Sequence, residues 1–322
     1  MLLSVIRIAV ALLWFLVALA QAQTWPTKPV RLIQTLGVGG GSEPFARLVA
    51  QKLGEALGQP VIVETQGGAG GAIGLTTVAR AAPDGYTLAL ASGSSLVLRR
   101  FLAKNVPYET LRDFTPIILT GETVSCVVAA GSLGLATLPE VIDYARRNPG
   151  KVAYGSSGIG TTHHLSGVMV EQLSGAQMLH VPYKGGGEAL NGLLSGQVQI
   201  VFGIVGTMTS HMKAGTVRML AINGGKRFYR MPDVPTVGEV LPGYARPPSW
   251  NGFVGPAGMP RPVVQRLYDE IHKTLAQPEM VERIADFGFV VDTAGPEEFA
   301  AHIRSSMELY AKAVRAAKIE PE

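Results

Sequence analysis

Apolar residues along this chain fall into short runs typical of buried strands and into longer stretches with helical spacing. The run at 30–36 predicts a strand, and the stretch at 43–58 places apolar residues three and four positions apart, which predicts an amphipathic helix. Further strands are predicted at 60–65 and 86–92, and a glycine-rich loop and a second helix separate them. Because strands and helices alternate in this way, the pattern predicts an α/β lobe with a parallel sheet.

The same order of elements returns in the second half of the chain. Strands are predicted at 152–157, 178–183 and 198–203, again separated by glycine loops and helices. Each half therefore predicts one α/β lobe with two glycine loops at the carboxyl ends of its strands. The β-rich run at 114–131 and the segment at 248–258 are predicted to cross between the lobes. Two crossings predict a hinge that opens and closes one cleft.

The amino terminus has the pattern of a secretory signal. Arg7 precedes an apolar stretch at 8–20, and the small residues Ala20 and Ala22 occupy the positions that a signal peptidase reads. The alternative is a membrane anchor, because the apolar stretch is only slightly shorter than a membrane span. We predict a signal peptide at 1–22 that is cleaved, and therefore an exported protein.

The crossings also predict the domain boundaries of the remaining chain. Lobe 1 is predicted to consist of residues 23–122 and 248–322, and lobe 2 of residues 123–247. The tail from Arg261 is predicted to be helical, since both of its long stretches are amphipathic and have proline at or near the helix start.

Composition and charge narrow the range of functions. The 39 glycines among 322 residues suit tight turns between strands and helices. The net charge of +4 is mild and its lysines and arginines are dispersed, so nothing supports nucleic-acid binding, whereas an anionic ligand is favoured. The single cysteine, Cys126, cannot form an internal disulfide and is predicted to be a buried structural thiol.

The glycine loop at 37–42 follows the first strand and precedes the first helix. Helix N-termini present unpaired N–H donors with partial positive charge, and glycine lets a ligand approach the backbone closely. Such loops on two facing lobes would hold a carboxylate without arginine or lysine. The rival interpretation is a dinucleotide site, because Gly37, Gly39 and Ser42 nearly match that fingerprint and Glu64 stands where a ribose-binding acid would lie. Ser42 replaces the third glycine and exported proteins rarely meet free NAD, so we expect no cofactor.

Catalytic and metal-binding patterns are missing from the sequence. Ser157 does not lie in a G-x-S-x-G motif, His163 and His164 are adjacent, and His180 falls in a predicted strand. We therefore predict no catalytic residue and no metal ligand.

An ordered set of motifs resembles the tripartite tricarboxylate transporter substrate-binding proteins, also called the Bug or TctC-like family. The motifs extend from about residue 25 to 318, and they are GGGSEPFARLVAQKLGEALGQPVIVE, GGAGGAIG, APDGYTL, HVPYKGGGEAL, GQVQIVF, MPDVPTVGE and SWNGFVGPAGMP. The resemblance implies a clamshell similar to type II periplasmic binding proteins, in which two α/β lobes surround a cleft. It also implies a periplasmic receptor, not an enzyme, that captures a small carboxylate for a membrane transporter.

The resemblance implies the partners and the ligand class as well. The ligand is expected to be a small organic anion, either a dicarboxylate, a tricarboxylate or an aromatic carboxylate. The protein partners are expected to be the large and small membrane subunits of the transporter, or none for an orphan receptor, and the receptor itself is expected to be a monomer. The alternative function is an exported α/β enzyme or a sensory ligand-binding protein on the same scaffold.

The ligand-binding residues that the resemblance implies lie in the glycine loops and at strand ends. In lobe 1 they are Val38, Gly39, Gly40, Ser42, Ala72 and Ser92, and in lobe 2 they are Gly160, Thr161, Thr162, Tyr183 and Gly203. Thr161 is predicted to cap its helix and to bind a ligand carboxylate. Ala72 stands where many members carry asparagine, and Tyr183 is either a packing residue or a ligand contact. Gly203 stands where members often carry aspartate, which favours a bulkier or purely anionic ligand over an amino acid.

Overall fold

The structure is a computed structural model, and it describes residues 25–37, 41–319 and 321. The predicted signal peptide at 1–22 lies outside the described residues. So do three of the predicted ligand-binding residues, Val38, Gly39 and Gly40.

The described strands form two mixed sheets. The strands are β1 (Val30–Gln34), β2 (Val61–Thr65), β3 (Thr87–Ser92), β4 (Phe114–Thr123), β5 (Ser125–Ala130), β6 (Ala153–Ser156), β7 (Leu179–Pro182), β8 (Ile200–Ile204), β9 (Val217–Asn223), β10 (Trp250–Pro256) and β11 (Phe289–Ala294). One sheet has six strands in the order β11-β4-β10-β3-β1-β2, and the other has five in the order β7-β6-β8-β5-β9.

Helices cover both sheets. They are α1 (Ser42–Leu57), α2 (Ala72–Ala79), α3 (Arg99–Leu102), α4 (Thr110–Asp113), α5 (Leu138–Arg147), α6 (Thr162–Ser174), α7 (Gly186–Leu194), α8 (Val205–Lys213), α9 (Val237–Val240), α10 (Arg261–Leu275), α11 (Pro278–Asp286) and α12 (Pro296–Ala316). A single wide π-helical turn at Ser94–Leu98 precedes α3. Within the part of the chain that the structure describes, every helix is too short or too polar to span a bilayer.

Each sheet contains the parallel unit that the alternating pattern predicts. In the six-stranded sheet, β1 pairs in parallel with β2 and with β3. In the five-stranded sheet, β6 pairs in parallel with β7 and with β8. The inner parallel strands β1, β3, β6 and β8 are largely buried, whereas the edge strands β2 and β7 are not. The adjacent residues Leu32 and Ile33 of β1 illustrate burial on both faces: both are fully buried, yet they belong to separate apolar clusters. The helices on both faces of each sheet exclude water from these clusters.

The chain passes between the sheets in the two segments predicted to cross. β4 ends in the six-stranded sheet at Thr123, and β5 begins in the five-stranded sheet at Ser125, so the first passage is at Val124. The return leads from β9 to β10, which pairs antiparallel with both β3 and β4. The exact lobe boundaries given above stay a prediction.

One element of the tail differs from the prediction. The tail from Arg261 is not helical throughout, because β11 lies between α11 and α12 and pairs antiparallel with β4. Its apolar residues Phe289, Val290 and Val291 favour a strand once the edge of β4 is available to receive them. The prediction for Cys126 is confirmed: the thiol is fully buried in β5, and this burial raises its pKa.

Candidate functional site

A small cavity lies between the two sheets at the carboxyl ends of their parallel strands. Its volume is about 20 Å³, which is room for roughly one water molecule. Leu36 follows β1, Ser92 ends β3, Ser157 follows β6 and Ile204 ends β8, and all four line the cavity. Ligands of open α/β sheets bind at this edge, so the position agrees with the sequence prediction. We call this space the inner cavity.

Neutral polar groups dominate the wall of the inner cavity. More than half of the lining residues carry a hydroxyl group, namely Ser92, Ser94, Thr123, Ser157, Thr161, Thr162 and Ser249. The other lining residues are Leu36, Gly93, His163, Ile204, Trp250 and Asn251. Among the described residues that form this wall, none is aspartate, glutamate, lysine or arginine. An anion here would be bound by hydrogen-bond donors and by the helix dipole instead of by an ion pair.

His163 is neutral at physiological pH. Burial lowers the pKa of its imidazole from the usual 6.5 to about 4. Its Nδ1 lies 2.7 Å from the hydroxyl of Ser157, and its Nε2 lies 3.4 Å from the hydroxyl of Ser125. The ring therefore holds the Ser157 hydroxyl in place without bringing a charge to the cavity.

The first turn of α6 faces the inner cavity. Thr161 is the N-cap residue, as predicted: its hydroxyl accepts a hydrogen bond from the backbone N–H of His164 at 3.3 Å. The same hydroxyl donates to the carbonyl of Gly158 at 2.7 Å. Thr161 is 1% exposed, so both bonds are shielded from water. These bonds fix the direction of the N–H groups that begin the helix.

Ser94 connects the two lobes across the inner cavity. The backbone N–H of Thr162 donates to the Ser94 hydroxyl at 3.1 Å, and this hydroxyl lies 3.2 Å from the hydroxyl of Thr162. Ser94 therefore accepts from one of the first N–H groups of α6, which a bound carboxylate oxygen could also engage. Gly93, which precedes Ser94, is tightly packed, because a Cβ there would lie 2.3 Å from Tyr310 Oη and 2.8 Å from Trp250 Cε2. The cleft is closed in this structure.

A larger pocket of about 320 Å³ adjoins the inner cavity, and Ser157 lines both spaces. Its wall comes from both lobes and consists of Ala69, Gly70, Arg99, Leu102, Ala103, Ser157, Gly158, Ile159, Pro182, Tyr183 and Lys184. Tyr183 is half-buried here, and its hydroxyl lies 3.3 Å from Oε1 of Gln197. We call this space the outer pocket.

A third pocket, of about 480 Å³, lies on the other side of Trp250 and fits a carboxylate less well. Its charged lining residues are the acids Glu122 and Asp292 and the cations Arg246 and Lys312, and Arg246 already forms an ion pair with Glu122, so the pocket offers no net positive charge. The last turns of α12, up to Ala316, also line it, and a helix C-terminus carries partial negative charge. The two spaces at the N-terminus of α6 are therefore the candidate ligand site.

The structure brings some of the predicted site residues together and separates others. Ser92, Thr161 and Thr162 line the inner cavity, Tyr183 lines the outer pocket, and Gly160 lies against Arg99 beside that pocket. Three others line neither space, and these are Ser42, Ala72 and Gly203. The Ser42 hydroxyl accepts from Gln34 Nε2 at 2.8 Å, Ala72 begins α2, and a Cβ on Gly203 would meet the methyl group of Met208. The role of each in ligand binding stays a prediction.

Several residues of the site were not predicted. Ser94 lies two positions after the predicted Ser92, and its neighbour Ser95 bonds back to Ser92. Trp250 and Asn251 reach the inner cavity because β10 pairs with β3 and places Asn251 opposite Ser92. The only sequence signal for these two was their place in the motif SWNGFVGPAGMP.

The other buried histidines pack beside the site without lining the inner cavity. His180 lies 2.7 Å from the Ser156 hydroxyl and stacks on His164 with a centroid distance of 4.1 Å. Burial and the nearby His164 lower the pKa of His180 to about 3. His180 is therefore a neutral packing residue, and its place in β7 agrees with the predicted strand.

Comparison with known proteins identifies a matching family and similar solved structures. Residues 45–315 match the family model described as the tripartite tricarboxylate transporter family receptor. The chain is similar to the solved structure of the periplasmic binding protein BugD, with 33% identity, a TM-score of 0.86, and coverage of 92% of this chain and 100% of BugD. The predicted two-lobed α/β fold of periplasmic binding proteins is thereby confirmed.

Two further solved structures contain bound ligands. The R. palustris protein Rpa4515 with adipate is 28% identical, has a TM-score of 0.89, and the alignment covers 92% of this chain and 100% of that chain. MatC from Rhodopseudomonas palustris with bound malate is 28% identical, has a TM-score of 0.83, and the alignment covers 90% of this chain and 100% of that chain.

Proposed function

This chain belongs to the tripartite tricarboxylate transporter receptor family of periplasmic solute-binding proteins, which are receptors and not enzymes, and we propose that it captures one small carboxylate between its two lobes. The observation that carries the proposal is the inner cavity, in which hydroxyl groups and the N-terminus of α6 converge and the described lining residues carry no charged side chain. A carboxylate that accepts from such donors gains about 1.5–3 kcal/mol for each hydrogen bond.

Binding requires the cleft to open and close. The inner cavity of about 20 Å³ is too small for an organic acid in this closed conformation. A carboxylate would enter an open form and replace the Ser94 hydroxyl as the acceptor of the Thr162 N–H. The ligand then stabilises a closed arrangement in which the Ser94 hydroxyl is displaced and both lobes contact the ligand, which is a shift in population between two states.

A dicarboxylate is the ligand class that we favour. Adipate and malate, the ligands named for two structural neighbours, each carry two carboxylate groups. The outer pocket beside the inner cavity offers room of about 320 Å³ for the part of such a ligand beyond its first carboxylate.

The cellular role follows from the family. We propose that the signal peptide at 1–22 is cleaved on export and that the receptor delivers its ligand to the large and small membrane subunits of a tripartite transporter. We further propose that residues 23–122 with 248–322, and residues 123–247, move as two lobes about the crossings at Val124 and before β10.

A thermal shift screen tests the proposal. The ligand-free protein is heated with straight-chain carboxylic acids and, as matched controls, with the corresponding amides, which have similar shape but no charge. Binding raises the melting temperature because it stabilises the folded state by RT ln(1 + [L]/Kd). We expect a shift with at least one acid and none with its amide, and mass spectrometry should recover the acid unchanged. Equal shifts with acid and amide, or chemical conversion of the acid, would contradict the proposal.

A further inference from the structure

The outer pocket carries a net positive charge, unlike the inner cavity. Arg99 and Lys184 are the charged residues in its described wall, and none of the described wall residues is acidic. Lys184 is exposed, whereas Arg99 is partly buried and comes from the first lobe. The pocket is thus suited to a second negative charge beside the neutral inner cavity.

The Arg99 side chain occupies a narrow slot between two glycine loops, one from each lobe. Its Nη1 donates to the carbonyl of Ile159 in the second lobe at 3.2 Å. A Cβ on Gly70 would lie 3.4 Å from Nη1, and a Cβ on Gly160 would lie 3.1 Å from it. Both glycines have positive φ angles, +61° and +79°, so the backbone conformation also favours glycine. The loops therefore leave just enough space for the guanidinium group.

Most hydrogen-bonding capacity of Arg99 is unused in the described structure. A guanidinium group has five N–H donors, and Arg99 commits one of them to Ile159. Its Nε is buried without a hydrogen-bond partner, and no carboxylate of the described residues pairs with it. The neighbouring Arg100 differs, because its Nη2 forms an ion pair with Glu109 at 2.8 Å. An unpaired, partly buried guanidinium that faces a pocket is a site for a planar anion.

We propose that Arg99 binds the second carboxylate of a dicarboxylate whose first carboxylate lies in the inner cavity. This inference rests on the proposed function. Ser157 lines both spaces, so the two proposed carboxylate sites are neighbours, and a short diacid that extends past Ser157 would reach from one to the other. Arg99 would then determine specificity: the inner cavity accepts any small carboxylate, and the outer pocket selects those with a second negative charge.

Arg99 also has a simpler role, as a contact that holds the closed lobes together through Ile159. The two roles make different predictions. Loss of a closing contact weakens every ligand equally, whereas loss of a carboxylate contact weakens only ligands that have a second carboxylate.

Isothermal titration with matched acids separates these roles. The probes are adipate against hexanoate, glutarate against pentanoate and succinate against butyrate, each pair of equal chain length. The variants are Arg99→Met and, as the matched control, Arg100→Met, whose ion pair with Glu109 lies outside both spaces. Arg99→Lys keeps the positive charge, and it replaces Arg99→Met as the test variant if Arg99→Met does not fold.

We expect the wild-type protein to bind one diacid at least about tenfold more tightly than its matched monoacid. Arg99→Met should remove this preference by weakening the diacid alone, Arg99→Lys should keep part of it, and Arg100→Met should keep all of it. Equal weakening of diacid and monoacid, or no change, overturns the role of Arg99. A wild-type protein without a diacid preference also overturns it but leaves the proposed function intact, whereas failure to bind any acid refutes the proposed function itself.

Discussion

The N-cap of α6 gives the sharpest test of the inner cavity. Thr161→Ala removes the hydroxyl that accepts from His164 N–H and donates to the Gly158 carbonyl. Loss of a threonine cap costs about 0.5–2 kcal/mol of stability. Loss of the second, buried bond adds about 0.5–1.5 kcal/mol. The free energy of unfolding in urea should therefore fall by about 1–3.5 kcal/mol.

The same change should also weaken ligand binding. Without the cap, the loop from Gly158 to Thr162 is free to rotate its N–H groups away from the cavity. The loss of about one hydrogen bond to a charged group weakens the affinity by about 1.5–3 kcal/mol, or about 12- to 150-fold. Calorimetric titration with the acid that the thermal screen selects measures this loss. Thr161→Ser keeps the hydroxyl and should restore most of the affinity.

Thr137 provides a matched control in the same protein. It caps α5 by accepting from the N–H of Glu140 at 3.4 Å, and it is exposed and lines neither space of the candidate site. Thr137→Ala should lower stability by about 0.5–2 kcal/mol and leave the affinity unchanged. If Thr161→Ala loses stability but binds as tightly as the wild-type protein, the N-terminus of α6 is not the carboxylate site.

Three further predictions concern buried side chains. Because His163 titrates near pH 4 when folded and near 6.5 when unfolded, the free energy of unfolding should fall as the pH drops from about 6.5 to 4. Urea titrations at several pH values should show a smaller fall in His163→Gln, and an equal fall would contradict the assignment. In a Trp25→Phe variant that lacks residues 1–22, Trp250 is the remaining tryptophan, and it lines the inner cavity. Ligand binding should therefore change the tryptophan fluorescence of this variant. Unchanged emission at a saturating ligand concentration would contradict the place of Trp250 at the site. Cys126 should resist Ellman's reagent in the native protein and react fully in denaturant, and stoichiometric native labelling would contradict its burial.

Local sequence patterns predicted the parallel strand units and the N-cap of α6, but they did not predict contacts between residues that are distant in the sequence. Glycine loops and alternating apolar runs are visible in any window of the chain, so β1 to β3 and β6 to β8 could be predicted. β11 could not, because its six residues lie between helices and become a strand only at the edge of β4. Ser92 ends the predicted strand at 86–92, and Thr161 lies in the glycine loop that follows the predicted strand at 152–157. Both could therefore be predicted as site residues.

The residues that distinguish one ligand from another depend on contacts that no local pattern reports. Arg99 and Arg100 are adjacent and identical in the sequence, yet among the described residues only Arg100 has an acidic partner, since the fold places Glu109 beside it and the Gly158–Gly160 loop beside Arg99. Several of the motifs that resemble the family lie in the glycine loops, whose backbone N–H groups are proposed here to hold one carboxylate. Selectivity then has to arise where side chains differ around the same loops, and in this chain the outer pocket supplies the unpaired positive charge. The paired titration of diacids and monoacids therefore examines both parts: the shared affinity for one carboxylate, and the discrimination that Arg99 adds.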